Sequence, residues 1–461
     1  MAHRMITQQS DIKQNDIKQN DAIRNNVLRQ AAHPLKGESS DYDPLMERIG
    51  DAQFVLIGEA SHGTHDFYYE RAEITKRLIQ EKGFVAVAVE ADWPDAYRIN
   101  RFVKASSDDP TAAEALSGFY RFPTWMWRNT NVLRFVDWLR GYNDSLPAQA
   151  AKIGFYGLDL YSLYSSMEAV LKYLETIDPD AAQRARYRYS CFEHFGEDSQ
   201  SYGYAASFGL NQSCEGEVVS QMLELQRKAT EYAKRDGQIP EDEFFYAEQN
   251  ARLVKNAEQY YRSMFQGRVS SWNLRDRHMA ETLEELVAHL SKTIDRPKIV
   301  LWAHNSHLGD ARATDMGEMG ELNVGQLVRQ HYGNDAVLIG FSTYIGTVAA
   351  ASDWDAPVEI KRVNPGLPNS YEGLFHKVGL DRFLLIMDDH ELSRLLHQPR
   401  LERAIGVIYR PDTERASHYF QARLSDQFDA VIHIDNSIAV EPLDREQPGD
   451  EEAPETYPSA L

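Results

Sequence analysis

Residues 54–73 read FVLIGEASHGTHDFYYERAE. Four apolar residues, Phe54 to Ile57, stop at Gly58, and a helical pattern takes over near Asp66. A short apolar run closed by a turn signal and followed by helical periodicity marks a buried parallel strand feeding a helix. Comparable runs recur at Phe54 to Gly58, Val85 to Glu90, Ile153 to Gly157, Ile299 to Ala303, Val337 to Phe341, Phe383 to Met387, Ile405 to Tyr409 and Val431 to Ile434. Strands alternating with helices predict an α/β fold with a mostly parallel sheet flanked by helices.

One region breaks the alternation. From Tyr161 to Asp295 strand signals nearly vanish, while residues 217–235 and 243–265 carry helical periodicity. The expectation is an inserted all-helical subdomain over 161–295, dividing an α/β core of residues 36–160 and 296–363. Residues 364–443 either complete the sheet or form a smaller C-terminal α/β lobe. The repeat DIKQNDIKQND from Asp11 to Asp21 is too polar to bury a face, so residues 1–35 are expected to be a mobile polar arm. Residues 444–461, acidic and proline-bearing, are expected to be a disordered tail.

Composition narrows the class. The chain has 461 residues, 43% of them hydrophobic, with no apolar run of about 18 residues to cross a membrane. Its N-terminus, MAHRMITQQS, lacks the apolar stretch of a secretory signal, which points to the cytoplasm. Cys191 and Cys214, the only cysteines, are too few for a disulfide framework and are expected as reduced, packed thiols. A net charge of −21 disfavours nucleic acid and anionic membrane surfaces as partners and tolerates a cationic small molecule. Nothing in the sequence sets an oligomeric state.

Ligand crevices of parallel sheets lie beyond the carboxyl ends of the strands. Those ends carry Glu59 and His62, then Glu90 and Asp92, then Asp159, then His304 and His307. Any single acid there can instead be a helix N-cap, Asp159 above all. Arg71, one to two turns into the helix, either reaches back to Glu59 or a substrate oxyanion, or pairs along its own helix. In FYRFPTWMW, Trp125 and Trp127 belong either to an apolar substrate wall or to the core. Arg275 and Arg277 of NLRDRHM belong either to the rim or to surface ion pairs, and DARATDMG, from Asp310 to Gly317, reads as an entrance loop or a plain connector. His65 and Asp66 read as candidates for capping the helix.

Three chemistries suit this set. Ser61 misses the G-x-S-x-G spacing of a nucleophile elbow by one residue, leaving it a weak candidate. A metallohydrolase has no H-E-x-x-H, although Glu59, His62, His304 and His307 could together ligate zinc. The third needs neither: a histidine oriented by a glutamate takes a proton from water, which attacks a carbonyl. A non-catalytic protein holding a tetrapyrrole or similar molecule through these histidines is a further alternative.

The blocks GEASHGTHDFYYERAEI, AVEADWPDAYRIN, FPTWMWRNTNVLRFVDWLRGYN, GFYGLDLYS, NLRDRHMAE, LWAHNSHLGDARAT and AIGVIYRPDTERASHYF resemble, in order, the erythromycin esterases. The resemblance runs from about Phe54 to Leu443. It implies an α/β core with a helical insertion, and water-dependent opening of a macrolide lactone, a route to macrolide resistance, without a cofactor or metal. It further implies His62 as general base, supported by Glu59 and Glu90, with Arg71, His304 and His307 around the carbonyl and the attacking water. The partner implied is a small-molecule ester or lactone, with Trp125, Trp127, Asp159 and Arg275 as candidate substrate contacts.

Overall fold

The computed structural model describes residues 23–195, 199–210, 212–235 and 241–444. Residues 1–22 of the expected arm and 445–461 of the expected tail lie outside them.

Eleven strands are described: β1 (His33–Pro34), β2 (Phe54–Ile57), β3 (Phe84–Asp92), β4 (Gly154–Asp159), β5 (Lys298–Trp302), β6 (Ala336–Ala350), β7 (Glu359–Val363), β8 (Arg382–Ile386), β9 (Arg400–Arg403), β10 (Tyr419–Ala422) and β11 (Ala430–Ser437). The main sheet has the order β1-β8-β11-β6-β2-β5-β3-β4, with β7 paired to the extended end of β6. The strands from β11 through β6, β2, β5 and β3 to β4 are mutually parallel, and β8, β1 and β7 add antiparallel edges.

The sheet is apolar on both faces, and alternation along each strand divides the residues. Phe54, Leu56, Ala86 and Ala88 join the apolar layer that continues into the helical insertion. Val55, Ile57, Val87 and Val89 join the layer under the helices His65–Lys82 and Thr130–Ser145. Successive side chains point to opposite faces, so a strand covered on both sides must be apolar throughout. All four residues of β2 are buried accordingly.

Between β4 and β5 the described residues hold helices and turns only, chief among them Leu163–Ile177, Pro179–Tyr189, Glu215–Arg235, Glu241–Ser263 and Arg268–Leu290. Residues 364–443 complete the sheet through β8 and β11, and only β9 and β10 stand apart as a two-stranded sheet. Residues 23–31 form a helix, Leu28 is fully buried, and His33–Pro34 pairs with β8, so this part of the expected arm is built into the fold.

Two expectations are corrected. The apolar run Ile405 to Tyr409 is not a strand of either sheet: it makes isolated bridges, Ile405 to Ser61 and Ile408 to Ala351. Its backbone bonds the site loop instead, the Ile405 N–H donating to the Ala60 carbonyl at 2.9 Å and the Ile405 carbonyl accepting the His62 backbone N–H at 3.3 Å, while Ile405 and Tyr409 pack with Val348, Ala350 and Val363. Cys191 and Cys214 are joined as a disulfide, with their Cα atoms 5.9 Å apart. The physical reason is local packing: the Cys214 N–H donates to the Tyr202 hydroxyl at 2.9 Å, which seats the start of helix Glu215–Arg235 beside the short turn Ser190–Phe195. Closing a loop between cysteines 23 residues apart is worth about 3 kcal/mol of unfolded-state entropy. Thiol titration of the denatured, unreduced protein should therefore find no free cysteine, and reductant should lower the stability of the insertion by about that amount; two free thiols before reduction would contradict it.

Candidate active site

Each candidate side chain is delivered by the end of a parallel strand or by the helix behind it. Glu59 and His62 follow β2, Glu90 lies near the end of β3, Asp159 closes β4, and His304 and His307 follow β5. The loop after β2 is pressed against β6: a Cβ on Gly63 would lie 1.8 Å from the Ala349 carbonyl oxygen, so only glycine fits there.

The first half of the site is built on Glu59. Its Oε1 accepts His62 Nδ1–H at 3.0 Å, and its Oε2 accepts Arg71 Nη2–H at 2.9 Å. A carboxylate that takes the Nδ1 proton leaves His62 Nε2 as the ring's basic atom. The Tyr68 hydroxyl donates to the His62 carbonyl at 2.8 Å. Arg71 is fully buried, with its guanidinium over the rings of Tyr68 and Trp302 at 4.3 and 5.3 Å. Of the readings open for Arg71, it adopts the pairing with Glu59, behind the carboxylate.

The second half is a buried charge network. Arg275 donates to Asp159 through Nε and Nη2 at 3.0 and 2.6 Å, and to Glu90 Oε1 through Nη2 at 2.7 Å. Its guanidinium lies over the Tyr161 ring at 4.8 Å. Glu90 Oε2 accepts the His304 backbone N–H at 2.8 Å, tying this network to the loop after β5. Burial pushes the Glu90 carboxyl up, but His307 and Arg275 outweigh it and hold it well below the usual range.

His304 and His307 are held in opposite states. Ser306 N–H donates to His304 Nδ1 at 3.3 Å and the Ser306 hydroxyl lies 2.9 Å from it, so Nε2 carries the ring proton; among the described residues that buried Nε2 makes no full hydrogen bond, with the Ala60 backbone beside the ring. Burial and the neighbouring His62 push the His304 imidazolium well down, so the ring is neutral. The His62 and His304 ring centroids lie 4.8 Å apart. His307 Nδ1–H donates to Asp276 at 2.9 Å, Nε2 lies 3.3 Å from Glu90 Oε1 and 3.0 Å from Arg275 Nη1, and Trp272 stacks on the ring at 4.5 Å. Burial pushes His307 down, but Asp276 and Glu90 prevail and raise it to about 9.

This raised value sets a pH dependence. A histidine whose folded value, about 9, exceeds its ordinary 6.5 adds stability that is complete below about pH 6.5 and lost as pH rises through about 9. The difference corresponds to about 3 kcal/mol. Urea unfolding across that window should show such a decline in the native protein and little of it in His307→Gln, whose amide can still donate to Asp276; equal profiles would contradict it.

Eight of the sequence candidates thus come together: Glu59, His62, Arg71, Glu90, Asp159, Arg275, His304 and His307. Trp125 and Trp127 do not join them. Both are buried in the apolar layer, Trp125 against Phe122 and Trp127 against Phe119. Asp159 is an ion-pair partner of Arg275, not the cap of the next helix, where Ser162 stands. Arg277 is exposed on the far side of its helix. The Ser61 hydroxyl bonds the Thr64 hydroxyl. Asp66 receives Arg382 and the Ile438 backbone N–H, and His65 Nδ1 bonds Asn131 Oδ1 at 2.8 Å, so both serve the scaffold. The span from Asp310 to Gly317 is two short helical turns, with Asp310 Oδ1 accepting Arg312 N–H.

Asp276, Trp272 and Ser306 were missed. The only sequence signal was their adjacency to Arg275, His304 and His307. Within the zinc set, Glu59 is bonded to His62 and Arg71, and His62 Nδ1, His304 Nδ1 and both nitrogens of His307 have partners, which leaves the Nε2 atoms of His62 and His304 as the imidazole atoms open to a metal. Among the described residues no three His, Cys, Asp or Glu side chains are arranged to hold a metal, and no helix is long and apolar enough to cross a membrane.

The erythromycin esterase family model matches residues 79–437. The chain belongs to the erythromycin esterase family. A curated member, erythromycin esterase type II of Escherichia coli, is 25% identical over 417 residues, covering 87% of this chain and 93% of that one. Among solved structures, a succinoglycan biosynthesis protein superposes with a TM-score of 0.72 at 21% identity, over 91% of this chain and 98% of that one. An erythromycin esterase mutant in its open conformation superposes with a TM-score of 0.63 at 18% identity, over 88% and 95%. At these identities the solved structures establish the fold of the family and nothing narrower. The family match begins after the loop bearing Glu59, His62 and Arg71, so the case for that loop rests on its geometry.

Proposed function

We propose that the protein is a metal-independent ester hydrolase that opens a lactone, with a macrolide ring as the substrate class and macrolide resistance as the consequence. The observation that carries this reading is the His62–His304 pair: an imidazole whose Nε2 is basic because Glu59 holds Nδ1–H, 4.8 Å from an imidazole whose Nε2–H makes no full hydrogen bond among the described residues. His62 Nε2 takes a proton from water as the oxygen attacks the carbonyl carbon. The carbonyl π bond breaks to an oxyanion, which accepts the His304 Nε2–H. The intermediate collapses, the ring C–O bond breaks, and His62 returns the proton to the departing alkoxide. The products are a carboxylic acid and an alcohol, with no covalent enzyme intermediate.

Arg71 and Glu59 act through His62. Arg275, Glu90 and Asp276 act through the loop that bears His304 and His307. Neutral His304 suits the role of donor, since an oxyanion bond strengthens only as charge develops. The test is mass spectrometry of macrolides and simple lactones incubated with the protein, reading the gain of one water in the presence and absence of a chelator. Chelator-resistant hydration of a lactone is expected. Loss to chelator with recovery on added zinc would favour the metallohydrolase, and a co-purified chromophore with no hydrolysis would favour the binding protein.

A further inference from the structure

The second strand stops early. β2 pairs with β6 only as far as Ile57 opposite Ile339, and Gly58 N–H donates to the Ile339 carbonyl at 2.8 Å. One step further along β6, Phe341 presents its N–H and C=O toward a strand that has already turned away to deliver Glu59. Buried backbone groups of this kind require partners. The carboxamide of Asn305 supplies both: Phe341 N–H donates to Asn305 Oδ1 at 3.3 Å, and Asn305 Nδ2–H donates to the Phe341 carbonyl at 2.8 Å. A side-chain amide here completes the ladder as a peptide of the missing strand would.

The same residue also grips the catalytic loops. Asn305 N–H donates to the Glu59 carbonyl at 2.8 Å, and its own carbonyl accepts Gly309 N–H at 2.8 Å. Its neighbour in sequence is His304. The space its carboxamide occupies is made by a glycine: a Cβ on Gly58 would lie 2.2 Å from Asn305 Oδ1. We propose that Asn305 is a positioning residue for hydrolysis: its carboxamide stands in for the missing strand and locks the His304 loop to the Glu59 loop. That lock sets the spacing of the His62 and His304 rings.

This inference rests on the His62–His304 reading of the site, so its test includes a readout that does not need turnover. Ring 15N spectra of histidine-labelled protein, assigned by difference with His304→Gln, report which nitrogen of His304 is protonated. Wild type should show a single Nε2–H form. Asn305→Ala and, independently, Gly58→Ala, which keeps the carboxamide but displaces it, should both show a mixture of ring forms. Where the lactone assay is active, kcat should fall at least tenfold with KM within about twofold. A wild type that hydrolyses nothing would sink the functional reading while leaving the spectra to decide the positioning role. Unchanged ring spectra in the two variants, or unfolding of both, would overturn the proposal, because a positioning residue moves the ring while the fold survives.

Discussion

Replacing His62 by asparagine should lower kcat/KM for lactone opening by about 10³-fold, within the range of a positioned general base, while leaving the fold intact. The fold should survive because the asparagine amide can still donate to Glu59 Oε1, so the Glu59–Arg71 pair keeps its partners. No charge is left unpaired, and the expected change in unfolding free energy is below about 1 kcal/mol. The lost atom is Nε2, the one nitrogen of the ring with no carboxylate or backbone partner among those described above. Kinetics on whichever lactone gains water, together with thermal unfolding, read the two effects separately. Activity within tenfold of wild type would remove His62 from the mechanism.

Strand ends were legible in the sequence wherever the strand was buried on both faces. Phe54 to Ile57 and Val85 to Val89 carry apolar residues at every position because both layers of the core press on them. The same logic misreads Ile405 to Tyr409, whose backbone makes isolated bridges to Ser61 and Ala351 and whose Ile405 and Tyr409 fill a small separate cluster with Val348, Ala350 and Val363. Strands β7, β9 and β10 escaped because they lie at edges or in the small second sheet, where one face is polar. The disulfide escaped because pairing depends on how two helices of the insertion are seated, a tertiary fact with no local pattern.

The site was legible to the extent that its residues stand at strand ends, which the sequence marks. What the sequence does not mark is which partner a charge chooses. Arg71 could have reached substrate, and it is instead walled in by Tyr68 and Trp302. Asp159 looked like a cap and pairs with an arginine 116 residues away. Nothing in the sequence singled out Asp276 beside Arg277, yet one residue's rotation along the helix turns it inward to His307 and Arg277 outward to solvent. Trp125 and Trp127 show the converse: tryptophans that the sequence could place in a substrate wall are core.

Arg275→Met should be the most damaging single change to stability. The guanidinium is buried and is the cation shared by Asp159 and Glu90, at 2.6 and 2.7 Å from Nη2. Removing one partner from a buried ion network leaves uncompensated charge, at a cost of about 3–5 kcal/mol. Glu90 would lose one of the two cations, His307 and Arg275, that hold its carboxyl below the usual range, so that carboxyl would rise toward the range. The deficit relative to wild type should therefore be full at about pH 8 and shrink only as pH falls through the ordinary carboxylate range, toward about 4. Adding Asp159→Asn should recover part of it, since one of the two stranded charges is gone. Activity should fall as well, because Glu90 also accepts the His304 backbone N–H and its displacement moves the proposed oxyanion donor. Urea unfolding of the single and double variants at the two pH values gives the comparison; a single variant within about 1 kcal/mol of wild type at pH 8 would mean the network contributes little net stability, as buried ion pairs sometimes do.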